Sequence, residues 1–329
     1  MKHIGVVVLL AGCSGANGRT TGDTEVLRLN HVQAKGTHNS YHVEPPEVLD
    51  ASFGYTHQPL DVQLSEQGVR QFELDVHLRQ DEGFEVFHIP LIDEETTCRK
   101  LVDCLGVVKD WSDQNPLHMP IMIWLEPKDE DADFLDDTLV PIFGHYDELE
   151  AEILSVFPEE RILTPDDVRK NYATLPEAIA AEGWPTLGAL RGKVLFSMLD
   201  SENHRAAYTA DAPALEGRLL FVDADQATDP YAALFKINNA QADGEEVRSL
   251  VAAGFIVTSN VDGVTQDDAA NTARSEASLE AGVHYSSSDF PAPVSSRDYW
   301  FDISEGEPAQ CNPVFGSDPC TPKDIENLP

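Results

Sequence analysis

Positive charge is scarce in this chain. Lys and Arg number 22 against 58 Asp and Glu over 329 residues, a formal net charge of −36. A field of that sign repels phosphate backbones, which argues against nucleic-acid binding by bulk charge and against a polybasic membrane patch. Long apolar runs are missing as well. The early run over residues 4–10 is far short of the roughly 20 residues a membrane helix needs. Aromatic residues reach only 8%, yet the hydrophobic share of 42% is that of a globular chain and excludes a disordered acidic one. The length suits one large domain, and a single (β/α) barrel typically takes roughly 250 residues.

Cysteine is also sparse, with five in all. The first, Cys13, ends the run Leu10-Ala11-Gly12-Cys13 behind a short positive start and an apolar stretch. That pattern reads as an export signal with a bacterial lipobox, lipidated at Cys13. The Gly/Thr/Ser/Asn-rich stretch behind it reads as a flexible tether. The protein is therefore expected to be exported and held at a membrane by its lipid, in the periplasm or at the cell surface. Cys98, Cys104, Cys311 and Cys320 remain, an even number. Outside the cytosol they are expected to pair as two short-range disulfides, Cys98–Cys104 and Cys311–Cys320. Zinc is the weaker reading, because neither pair has C-x-x-C spacing.

Short apolar runs alternate with helical patterns. Strands are expected over residues 32–35, 71–76, 85–88, 121–125, 194–198, 219–222, 255–258 and 284–286. Helices are expected over 60–67, 99–112, 146–156, 245–253 and 267–281, the last starting behind Thr265 and stopping at Gly282. Alternation of this kind argues for an α/β fold, and eight strands suggest a barrel. In such a barrel the site forms where strands end. The first strand is followed by His38-Asn39-Ser40-Tyr41, the second contains Glu73-Leu74-Asp75-Val76-His77, the third ends at His88, and the fourth ends Leu125-Glu126-Pro127-Lys128. Side chains alternate across a strand, so Glu73, Asp75 and His77 share one face. Confined carboxylates cannot all ionise without compensation. With Glu126 and the Asn39 carbonyl they make an all-oxygen set, which suits Ca2+ better than Zn2+. His77 competes for a ligand role. His38 and His88 are candidates for acid–base work, and Asp289 is a candidate to orient a histidine or to cap a turn. His42 and His57 read as structural or peripheral.

Taken in order, these residues resemble the calcium-dependent phosphoinositide-specific phospholipase C family, most closely its bacterial branch. The likeness rests on Gly36-Thr37-His38-Asn39-Ser40-Tyr41, Glu73-Leu74-Asp75, His88, Leu125-Glu126-Pro127-Lys128 and Ser288-Asp289-Phe290-Pro291, and covers roughly residues 30–295. It implies a distorted TIM (β/α)8 barrel. It implies one Ca2+ held by Asn39, Glu73, Asp75 and Glu126, with His38 stabilising the phosphorane. His88 would be the general acid on the diacylglycerol oxygen and Glu126 a base for the inositol 2-hydroxyl. Lys35, Lys128 and Lys236 are the expected substrate-binding cations. Bacterial relatives tend to carry an Arg in the segment that here reads Thr258-Ser259-Asn260-Val261-Asp262, and this chain has none there.

The organisation expected is a signal peptide at 1–12, a tether at 13–27, a phosphodiesterase barrel at 28–295 and a disulfide-bearing extension at 296–329. The expected partners are a phospholipid or phosphodiester substrate and a membrane, with no nucleic acid and no obligate protein partner. Two other readings stand beside this one. One is a glycerophosphodiester phosphodiesterase, although that family usually opens on His-Arg-Gly. The other is a non-catalytic, ligand-binding surface lipoprotein. The acidic run at 129–137 reads as a solvated loop in preference to a second cation site.

Overall fold

A computed structural model describes residues 27–129, 136–199, 203–316 and 320–326. The signal peptide, Cys13 and most of the acidic run lie outside the described residues. Eleven strands are present among them: β1 Val32–Thr37, β2 Gln71–Arg79, β3 Gly83–Val86, β4 Ile121–Pro127, β5 Leu139–Val140, β6 Val194–Met198, β7 Phe221–Val222, β8 Leu234–Lys236, β9 Ile256–Asn260, β10 Tyr285–Ser288 and β11 Ala309–Cys311.

Eight of these build a nearly closed parallel barrel in the order β7-β6-β4-β2-β1-β10-β9-β8. A lone parallel bridge, Asp223 to Leu234, brings its two ends together. Several barrel strands are continuous apolar runs because helices cover their outer face. Ile121 to Leu125 of β4 and Val194 to Phe196 of β6 are fully buried. The barrel is distorted at the seam between β1 and β2, which pair only at Gly36 and Gln71. Side chains fill that seam. Gln71 Nε2 donates to Thr37 O at 3.2 Å, and Ser287 Oγ donates to Gln71 Oε1 at 2.9 Å. A Cβ on Gly36 would lie 2.1 Å from Gln71 Oε1, so glycine is what admits the amide.

The expected count of eight barrel strands holds, but one member changes. Of the run at 85–88, Glu85 and Val86 belong to β3, which is antiparallel to β2 with Val76 opposite Val86, so the run is a hairpin arm and not a barrel strand. Its place is taken by β8, a strand of three residues paired parallel to β9. The helix Asp268–Ala281 is capped by Asp267, whose carboxylate accepts from Ala270 N at 2.8 Å, and not by Thr265. Its expected stop at Gly282 is correct, with a left-handed φ of 91°.

The C-terminal extension is part of the core. β11 runs antiparallel to β1, with Val32 opposite Cys311. Cys311–Cys320 and Cys98–Cys104 are both bonded. The fully buried Arg70 donates from Nε to Glu326 Oε2 at 3.0 Å and from Nη1 to Leu64 O and Val69 O at 2.9 and 2.7 Å. Arg70 precedes β2, so this clamp closes the barrel end away from the site. Leu27, placed in the tether by sequence, is buried in the main core.

At Gly282 a Cβ would sit 2.7 Å from Val314 Cγ2, where the extension crosses the helix end. Gly282→Ala adds that clash to a positive φ. It is expected to cost about 1–3 kcal/mol in a denaturant titration, with the disulfides unchanged.

Candidate active site

Four of the expected residues come from two neighbouring segments. The turn after β1 is fixed to β2 by Ser40, whose Oγ accepts from Glu73 N at 2.8 Å while Gln63 Nε2 donates to Ser40 O at 2.7 Å. Asn39 takes a left-handed φ of 42° there, which asparagine tolerates better than most residues. In the β2–β4 register Asp75 lies opposite Glu126, and Glu73 opposite Trp124. One ligand oxygen each from Glu73, Asp75 and Glu126 lie within 4.8 Å of one another, the one such metal-competent group among the described residues.

This cluster is short of positive charge. Lys128 Nζ lies 2.8 Å from Glu126 Oε1 and 3.0 Å from Asp75 Oδ2, and Lys236 Nζ donates to Glu73 Oε2 at 2.6 Å. Both Asp75 oxygens are buried, with the Lys128 ammonium as their charge partner and no hydrogen bond of regular geometry. Burial, then the Asp75 charge, raises the Glu126 carboxyl above its ordinary range against the pull of Lys128. The buried Asp75 carboxylate, together with two further carboxylates and the nearby Asn39, is an all-oxygen donor set that fits Ca2+.

The two histidines are each held by a carboxylate. His38 Nδ1 donates to Asp289 Oδ1 at 2.8 Å, and its Nε2 lies 3.6 Å from Glu73 Oε1. Burial alone would lower this ring, but Asp289 and then Glu73 outweigh it and raise His38 to about 9, so it is an imidazolium at neutral pH. Asp289 is in turn fixed through its backbone N–H, which donates to Asp262 Oδ1 at 2.8 Å. Burial and the Asp289 charge push Asp262 up to about 7. His57 Nε2 donates to His38 O at 2.8 Å, and burial lowers His57 to about 4, which keeps it neutral. His88 Nδ1 donates to Asp93 Oδ2 at 2.8 Å. A cavity of about 610 Å³ brings together His38, His88, Glu73, Glu126, Lys128 and Lys236.

Two expectations are corrected. Lys35 does not line this cavity. It shares a strand face with Thr37 and is buried, its Nζ donating to Pro291 O at 3.2 Å and lying 3.7 Å from Asp302. His77 does not join the ligand cluster, which gathers Glu73, Asp75 and Glu126 without it; its Nε2 donates to Phe87 O and His88 O at 3.0 and 3.2 Å while its ring stacks on Phe87 at 3.9 Å. Burial lowers it to about 4. At the described ends of the acidic run, Asp129 accepts from Ile142 N at 2.7 Å and Asp136 pairs with Arg79 at 3.1 Å.

Asp93 and Arg274 were not found from sequence. Asp93 lies in a short turn with no periodicity, and Arg274 in a helical pattern that gives a face but not what its long side chain reaches. Arg274 reaches the wall formed by the Arg-less segment at 258–262, its Nη1 donating to Asp262 O at 3.2 Å and its Nη2 to Asn238 O.

Residues 27–83 and 77–313 match a family model described as phosphoinositide phospholipase C, Ca2+-dependent. The chain belongs to that family. This phospholipase C relationship favours neither the glycerophosphodiesterase nor the non-catalytic reading. No curated protein sequence matches the chain. Among solved structures, the calcium-dependent phosphoinositol-specific phospholipase C of a Gram-negative Pseudomonas sp. aligns with a TM-score of 0.61 at 18% identity, covering 88% of this chain and 96% of that one. The Ca2+-dependent phosphatidylinositol-specific enzyme of Streptomyces antibioticus gives 0.59 at 19% identity, covering 80% and 95%. These likenesses establish a shared barrel fold.

Opposite charge changes in this phospholipase's carboxylate cluster should act oppositely. In a calorimetric calcium titration, Asp75→Asn is expected to weaken binding by at least about tenfold, and Lys128→Met to strengthen it.

Proposed function

We propose that the protein cleaves phosphatidylinositol to diacylglycerol and an inositol phosphate, with His38 and His88 working from opposite sides of one phosphate. The observation that carries this is geometric. Each ring is fixed through Nδ1 by its own carboxylate, and both rings line the cavity that Glu73 and Glu126 of the carboxylate cluster also line. Asn39, Glu73, Asp75 and Glu126 would hold the Ca2+, which neutralises phosphate charge and lowers the pKa of a bound hydroxyl.

The chain's own groups do the rest. Glu126, with its raised carboxyl, takes the proton of the inositol 2-hydroxyl as that oxygen bonds to phosphorus. The His38 imidazolium stabilises the charge that gathers on the phosphoryl oxygens. The bond from phosphorus to the diacylglycerol oxygen breaks, and His88 gives that oxygen its proton. The first product is a cyclic inositol phosphate, which water can open. Lys128 and Lys236 supply positive potential beside the phosphate. Arg274 supplies it at the headgroup end of the cavity, in place of the Arg that relatives carry in the preceding strand.

The N-terminal reading is part of the same proposal. A lipid on Cys13 would hold a strongly acidic enzyme at a membrane that its own charge does not seek. The two disulfides, Cys98–Cys104 and Cys311–Cys320, support an exported protein. No helix among the described residues is long and apolar enough to cross a membrane. Cys13→Ser is expected to move the protein from the membrane to the soluble fraction of its native host. Retention at the membrane would contradict the anchor.

His38→Ala and His88→Ala are each expected to lower turnover of phosphatidylinositol by about 10²–10⁴ while calorimetric calcium binding persists. Undiminished release of diacylglycerol by either variant would contradict its role.

A further inference from the structure

Behind His88 lies a second histidine that the reaction does not touch. His42 is fully buried, and both its ring nitrogens face oxygen acceptors. Nε2 lies 2.9 and 3.0 Å from the two carboxylate oxygens of Asp93, and Nδ1 lies 3.0 Å from the backbone oxygen of Tyr55. A carboxylate has no hydrogen to give, so Nε2 is the donor to Asp93. The Tyr55 ring stacks on the imidazole at 4.3 Å and 16° and fixes its plane.

Asp93 is also fully buried, and its Oδ2 accepts from both His42 and His88. Burial alone would raise its carboxyl. The hydrogen bonds from the two histidines outweigh that and hold it below its ordinary range. The backbone locks the same arrangement. His42 forms a bridge with Thr96, Val43 N donates to Glu95 O at 3.2 Å, and Asp93 N closes the turn on Ile89 O at 2.9 Å. The loop carrying His38 and the loop carrying His88 are therefore joined through one buried carboxylate, Asp93.

We propose that His42 and Asp93 are positioning residues for His88: Asp93 fixes the His88 ring through Nδ1, and the His42 Nε2–H shares the Asp93 carboxylate so that the His88 proton stays transferable. An uncompensated buried carboxylate against Nδ1 would hold the imidazolium too firmly to release a proton to a leaving oxygen. The titratable groups packed around His42 are Asp93, His88, Tyr55 and His57. Burial keeps Tyr55 a neutral phenol and His57 a neutral ring, so the balance is set by Asp93 and the two remaining histidines.

The inference rests on His88 being the proton donor, and it is tested in two ways. Histidine side-chain 15N–1H correlation spectra of the wild-type protein at neutral pH are expected to show the His42 Nε2 protonated. An unprotonated Nε2 overturns the proposal without any variant having to fold. In pH profiles of kcat, the basic limb is expected to move to higher pH by roughly one unit in His42→Gln and to lower pH in Asp93→Asn. A purely structural role would lower kcat in both without moving the limb in opposite directions, and that result also overturns it. Undiminished turnover by His88→Ala would instead overturn the donor role and leave the His42 spectrum as it was.

Discussion

Mutual repulsion among Glu73, Asp75 and Glu126 is the constraint on which the site depends. Register on β2 and β4 forces it, since Asp75 and Glu126 are paired residues and Glu73 lies two positions back on the same face. The strands cannot relieve it by turning these side chains outward. The alternate residues Phe72, Leu74 and Val76 are fully or almost fully buried in the main core, and shifting the register by one would put carboxylates there. Relief must come from cations. Lys128 and Lys236 supply part and the His38 imidazolium another part, and a bound cation would supply the rest.

The same logic of paired charge recurs around the cavity. Each histidine proposed for chemistry is held by a carboxylate that is itself held elsewhere. Asp289 is fixed by its backbone N–H on Asp262, and Asp93 by His42. Rings anchored in this way keep one nitrogen for the cavity and one for the scaffold. The scaffold is stiffened at its far end by the buried Arg70–Glu326 pair and the Cys311–Cys320 loop, both of which leave the strand ends free to carry function.

The carboxylate cluster was legible in the sequence for a physical reason. Period-two alternation puts Glu73 and Asp75 on one face, and an apolar run ending in Glu126 marks a neighbouring strand end. Both disulfides were legible from cysteine spacing. What failed was direction. The run at 85–88 has strand composition, but composition does not distinguish a parallel strand from a hairpin arm. The three residues of β8 are too short to show a period. Lys35 was placed by its nearness to His38 in sequence, although alternation puts it with Thr37 on the face away from the cavity. Asp93 lies in a turn with no periodicity, and Arg274 lies on a helix whose pattern gives a face but not what its long side chain reaches.

Thermal unfolding of the wild-type protein, in chelator and then in saturating calcium, tests the central claim most directly. A cation that relieves the repulsion binds only the folded cluster, and at 1,000 times its Kd it adds about 4 kcal/mol. The expected result is a Tm that rises with calcium and falls back when chelator is restored. A Tm that is the same in both conditions would contradict the account.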